Sequence, residues 1–132
     1  PGIGAWLMLL RYPTILRQGL AAEKDMASSV PGIGALQAAQ LDWRGFVPAV
    51  RESLRGILSE TLGADHRALS TASVPTLAIW GAADEVIPLS ASEILTGWNG
   101  DLRNHVIEGA GHGLTYTHTD DVLSAIEGFA KA

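Results

Sequence analysis

Two residues, Asp84 and His112, stand where acid–base chemistry can be placed. An apolar run, Thr76-Leu-Ala-Ile-Trp80, stops at Gly81, and Asp84 follows three residues later, where a buried strand would empty into a loop. A second run, His105-Val-Ile107, stops at Glu108-Gly-Ala-Gly111 and presents His112. Two parallel strands lying side by side would carry both residues to one edge of a sheet. There a carboxylate holds an imidazole in one tautomer and stabilises it once protonated, which makes up the acid and base of a nucleophilic triad. Each residue also has a plainer role open to it, Asp84 as a turn carboxylate or N-cap and His112 as a loop histidine. The glycines at 109, 111 and 113 favour the aimed histidine, because they suggest a backbone needing dihedrals that side chains disfavour. The same glycines are a poor phosphate cradle, because Leu114-Thr-Tyr-Thr117 follows them instead of a helix whose N-terminus would bind the anion.

The elements that must position this pair follow from patterning. Pro75 sits at the head of the first run, where a missing N–H is tolerated, and the run does not alternate, as expected of a parallel strand covered on both faces. Ser90-Ala-Ser-Glu93 fits a capping box, Ile94, Leu95 and Trp98 give the next helix an inward face, and Asn99-Gly100 ends it. Strand, helix and strand then form a βαβ unit. A last helix is expected from near Thr119, with Asp120 and Asp121 in its first turn and Val122, Leu123, Ile126 and Phe129 facing the sheet. Upstream, residues 1–70 read as short helices broken at Pro1 to Gly4, at Pro13 and at Pro31 to Gly34, with a polar connection over Asp25 to Ser29. Phe46, Val47, Val50, Leu54, Ile57 and Leu58 recur at three and four, which predicts one amphipathic helix between Asp42 and Leu62, closed by Gly63. The pentapeptide Pro-Gly-Ile-Gly-Ala occurs at 1–5 and again at 31–35, a pattern that fits chance or a shared helix entry better than a repeat array.

The segments VPTLAIWGAADEVIP and GAGH, in this order, resemble the C-terminal part of the α/β-hydrolases, whose chain order is nucleophile, acid, histidine. Pro75, Thr76, Leu77, Ile79, Trp80, Gly81, Asp84 and Pro88 match the family's pattern around the acid, and Gly109 to His112 match its histidine motif. The resemblance covers residues 74–132 well and the preceding seventy only loosely. It implies an α/β fold in which a helical lid (1–70) precedes a C-terminal core segment (71–132) of parallel strands with covering helices. It implies hydrolysis of an ester or related bond, with Asp84 and His112 as acid and base and no cofactor. The substrate would be small and apolar, and Trp6, Met8, Trp43 and Phe46 in the lid are candidates to line its pocket or to pack the lid's own core. Glu85, beside Asp84, is expected to be solvated, and His66, His105 and His118 to be surface residues without metal-ligand spacing.

No Ser, Asp or Cys stands in a glycine-flanked elbow such as G-x-S-x-G, so the resemblance implies a nucleophile upstream of Pro1 and a chain that needs the missing N-terminal half of the fold. Two rival expectations are a receptor-like, non-catalytic member of the same fold and a small stand-alone α/β binding domain. Composition narrows the classes further. A formal charge of −5, with seven Arg and two Lys scattered along 132 residues, offers no basic patch for nucleic acid. The absence of cysteine excludes a disulfide framework and thiolate chemistry within the chain. Ile3 to Leu10 is too short to span a bilayer and lacks a basic flank, so no membrane span is expected and a cytoplasmic location is.

Overall fold

The computed structural model describes residues 3–22 and 26–132, a mixed α/β chain of mostly helices with one two-stranded parallel sheet. It divides into two compact units between Glu60 and Thr61. That boundary lies ten residues before the expected one, because the helix at 63–71 packs within the second unit.

In the first unit, α1 (Ile3–Ala22) runs through Pro13 without ending there, contrary to the expected break. A proline costs its own N–H and crowds the preceding turn but need not stop a helix whose other bonds survive. Trp6, Leu7, Leu9, Leu10 and Ile15 all lie exposed on it. Helix α2 (Ile33–Ala39) follows Gly32, whose φ of 70° is a left-handed entry that glycine makes without penalty. The second copy of the pentapeptide opens a helix at Ile33, while the first two residues of the first copy lie outside the described residues. The helix expected over Asp42 to Leu62 is shorter: α3 covers Phe46–Arg55, between 3₁₀ turns at Gln40–Asp42 and Ile57–Ser59. Its N-terminus follows Gly45 and its end meets Gly56, whose φ of −100° and ψ of −115° leave the helical region. Val47 is the buried contact of α3, and Tyr12 of α1 meets Phe46 with ring centroids 6.4 Å apart. Residues 23–25, including Asp25 of the expected polar connection, lie outside the described residues.

The second unit positions the candidate pair. Gly63 opens α4 (Gly63–Thr71) where it was expected to close a helix, since a Cβ there would press on the Trp98 indole at 2.9 Å. His66 of α4 stacks on that same indole at 6.3 Å; it is half-buried, and its Nδ1 makes no hydrogen bond among the described residues. Residues 70–73 are the end of α4 and a tight turn, with Ser73 at φ 52°.

Strand β1 (Leu77–Gly81) pairs in parallel with β2 (Arg103–Ile107), Leu77 opposite Arg103 through Gly81 opposite Ile107. The crossover is α5 (Ala91–Trp98), entered at Ser90 without a side-chain cap: Ser90 has helical dihedrals, so the capping box does not form. Asn99, fully buried after α5, accepts from the Asp101 N–H and donates to Thr76 Oγ1, tying the helix exit to the start of β1. On one face of the sheet Trp80 Nε1 donates to Asn104 Oδ1 at 2.8 Å, and Asn104 Nδ2 donates to Thr96 of α5 at 2.8 Å.

A single helical turn, α6 (Leu114–Thr117), follows His112, where no helix was expected, and leads into α7 (Thr119–Ala130). Of the four α7 residues expected to face the sheet, Val122 and Phe129 are partly covered while Leu123 and Ile126 are about half exposed. A two-stranded sheet is too narrow to cover the whole apolar face of a twelve-residue helix. Among the described residues no helix is long and apolar enough to cross a membrane.

Candidate active site

The two strand ends are joined by their own backbones. Beyond β1 the Ala82 N–H donates to the Ile107 carbonyl at 3.0 Å and the Ala83 N–H to the Ala110 carbonyl at 2.9 Å. The loop carrying Asp84 therefore lies on the loop carrying His112. Such close approach requires glycine at 81, because a Cβ would run into the Ala110 carbonyl oxygen and come to 2.8 Å from that of Gly111. Ala110 is fully buried at this junction. Of the three glycines around His112, only Gly109 has the expected left-handed backbone, with φ of 72°. Gly113 is needed for space, since a Cβ there would overlap the Tyr116 ring, and Gly111 meets neither constraint.

Within this frame His112 Nδ1 and Asp84 Oδ2 lie 3.0 Å apart. The other carboxylate oxygen, Oδ1, accepts the Val86 N–H at 2.8 Å and the Ile87 N–H at 2.9 Å, so the turn after the strand fixes the carboxyl plane. Burial disfavours the charge of Asp84, whose side chain is 7% exposed. The Ile87 amide, the bond to His112 and the Val86 amide together outweigh that cost and hold the carboxyl below its ordinary value. An ionised carboxylate only accepts, so His112 must carry its proton on Nδ1 when neutral. Nε2 is left without a hydrogen bond among the described residues, and the His112 side chain is 52% exposed. The histidine thus offers a free, outward lone pair behind which a fixed anion sits.

Beside the pair is a cleft of about 160 Å³ lined by Ile79, Trp80, Gly81, Asp84, Ile87, His112 and Leu114. At about 30 Å³ per water it has room for roughly five waters, or for one small group of a substrate. Ile87 and Leu114 were not among the residues singled out in the sequence, and the signal for them was their spacing of three and two from Asp84 and His112.

The other candidates are dispersed. Met8 lines a small cavity in the first unit with Leu9, Val47, Pro48 and Arg51, and Phe46 packs on Tyr12. Trp6 and Trp43 are 64% and 70% exposed. Glu85 and His105 are exposed, whereas His118 is partly covered, its Nδ1 lying 2.9 Å from Thr117 Oγ1. Among the described residues no group of three His, Cys, Asp or Glu side chains is arranged to hold a metal. Compared with known proteins, the chain matches no family model and no curated protein at a significant level.

Proposed function

We propose that this chain is the lid and C-terminal core of an α/β-hydrolase, carrying the acid and the base of a triad whose nucleophile lies outside these 132 residues. The observation that carries the proposal is the 3.0 Å contact between Asp84 and His112 at the ends of two neighbouring parallel strands, with Nε2 of the histidine free. In the reaction, Nε2 takes the proton of the attacking nucleophile or of water and later returns it to the leaving group, while Asp84 keeps Nδ1 protonated and stabilises the imidazolium. The small cleft at His112 receives one side of the scissile bond. The substrate proposed is a small apolar ester; within the first unit Trp6, Trp43 and the exposed face of α1 present apolar surface, while Met8 and Phe46 pack among that unit's own residues.

The test compares this chain with a longer version that includes the residues encoded upstream of Pro1. The longer protein is expected to hydrolyse a p-nitrophenyl ester and to be labelled stoichiometrically by a nucleophile-directed phosphonate or, if its nucleophile is Asp, to displace halide from a haloalkane and form an alkyl-enzyme ester. The 132-residue chain should do neither. Phosphonate labelling of the short chain would overturn the division of labour, and an upstream region with no glycine-flanked Ser, Asp or Cys would overturn the proposal itself.

A further inference from the structure

At the other end of the sheet, about 16 Å of strand away from His112, the chain forms an open cleft of about 560 Å³ between the starts of β1 and β2 and the last turn of α7. Its walls are apolar on one side, with Val74, Pro75 and Phe129, and polar on the other, with Ser73, Asp101 and Arg103. The Arg103 guanidinium lies over the Phe129 ring, 5.5 Å from its centroid, and makes no ion pair among the described residues. Stacking on an aromatic face occupies the plane of a guanidinium and leaves its edge of N–H donors free, in the geometry that grips a carboxylate with two parallel bonds. The Ser73 hydroxyl also has no partner among the described residues, and the left-handed backbone of Ser73, φ 52°, is an uncommon conformation for a residue other than glycine. Asp101 accepts the Ser70 hydroxyl at 3.1 Å and stands in the cleft wall.

We infer that this cleft is a second binding site, separate from the Asp84–His112 pair, for a small monocarboxylate with a flat apolar body. Arg103 takes the carboxylate by its free edge, Ser73 adds a hydroxyl donor, and the apolar body lies against Val74, Pro75 and Phe129. The cleft volume falls within the ordinary range of small-molecule sites, which combine an apolar lining with a few convergent polar groups. Asp101 sets the charge preference: a second negative charge on the ligand would meet a like charge, so a monocarboxylate is favoured over a phosphate monoester. The site does not depend on the hydrolase proposal, because none of its residues belongs to the strand-end pair.

The test is an NMR titration of the full chain with phenylacetate, phenylacetamide and phenyl phosphate. Phenylacetate is expected to shift the amides of residues 73–76, the Arg103 Nε–H and the Phe129 ring protons along one saturable curve, leaving His112 unmoved. Phenylacetamide should bind at least about tenfold more weakly, since charge-assisted bonds are roughly twice as strong as neutral ones. Arg103→Gln should weaken phenylacetate to a similar degree, and Arg103→Lys should restore only part of the loss, because it returns the charge without the fork. Arg103 is exposed, so both variants should keep the wild-type amide spectrum elsewhere. Equal affinity for the acid and its amide, unchanged binding in Arg103→Gln, tighter binding of phenyl phosphate, or no saturable shift up to about 10 mM, weaker than any ordinary small-ligand affinity, would each overturn the assignment.

Discussion

Replacing Asp84 by Asn keeps the shape of the side chain and inverts one of its hydrogen bonds. The carboxylate now accepts three: from Val86 N–H at 2.8 Å, from Ile87 N–H at 2.9 Å and from His112. The amide must keep its oxygen toward the two backbone donors, because turning its NH₂ group toward them would set donor against donor. Its nitrogen then faces His112 Nδ1, which has to become an acceptor and send its proton to Nε2. Two backbone bonds change from charge-assisted to neutral, a loss of about 1 kcal/mol each. Relief from burying a charge in a side chain only 7% exposed offsets part of that, so the net cost is about 1 kcal/mol. In the proposed hydrolase the chemical cost would be far larger than the structural one. In a serine protease the same acid-to-amide change lowers kcat on the order of 10⁴-fold through the wrong tautomer. Long-range ¹H–¹⁵N correlation of the His112 ring is the direct assay: the wild type should show Nδ1–H and Asp84→Asn should show Nε2–H, with urea unfolding giving the small stability loss. A wild-type ring protonated on Nε2, or an Asp84→Asn ring still protonated on Nδ1, would refute the reasoning.

Two further outcomes follow from the same strand ends. Asp84 is held below its ordinary value of 3.8 in the folded chain, so its contribution to stability is complete above that pH and is lost as pH falls through the folded value. The gap in thermal midpoint between wild type and Asp84→Asn should therefore narrow as pH falls below about 3.8; a gap that persists in acid would mean that the charge contributes nothing. Gly81→Ala places a methyl group against the Ala110 carbonyl and should cost about 1–3 kcal/mol, measured by urea unfolding, with loss of the His112–Asp84 hydrogen-bond signature. Wild-type stability in Gly81→Ala would show that the two loops are not packed as closely as described.

The pair was legible in the sequence because it rests on two strong local signals, apolar runs ended by Gly81 and by Glu108-Gly109. Parallel strands then bring their C-terminal ends together as a matter of topology. What holds the ends at hydrogen-bond distance was not legible: the bonds from Ala82 and Ala83 to the second loop involve backbone only, and side-chain pattern carries no record of them. The same limit explains Ser90, where the capping-box spacing was present but helical dihedrals at the cap turn the hydroxyl away from the task. Glycine commonly follows a helix, which makes Gly63 look like a terminator in the sequence, whereas here its small size admits the Trp98 indole at a helix start. In the first unit the period of three and four was sound over α3, but it ran on across Gly56, where apolar Ile57 and Leu58 mimic one more turn and in fact lie exposed. Pro13 gave the opposite error, a local breaker overridden by helical residues on both sides.

The central proposal is that Asp84 and His112 act as one catalytic unit, and a double-mutant cycle in the proposed longer protein that would bear the nucleophile tests it most directly. The measurement is kcat/KM on one ester for wild type, Asp84→Asn, His112→Ala and the double variant. His112→Ala should remove nearly all turnover, and the double variant should lose little more than His112→Ala alone, because Asp84 works only through the histidine. Losses that simply add would mean that the two residues do not act through each other, and undiminished turnover in His112→Ala would contradict the mechanism outright.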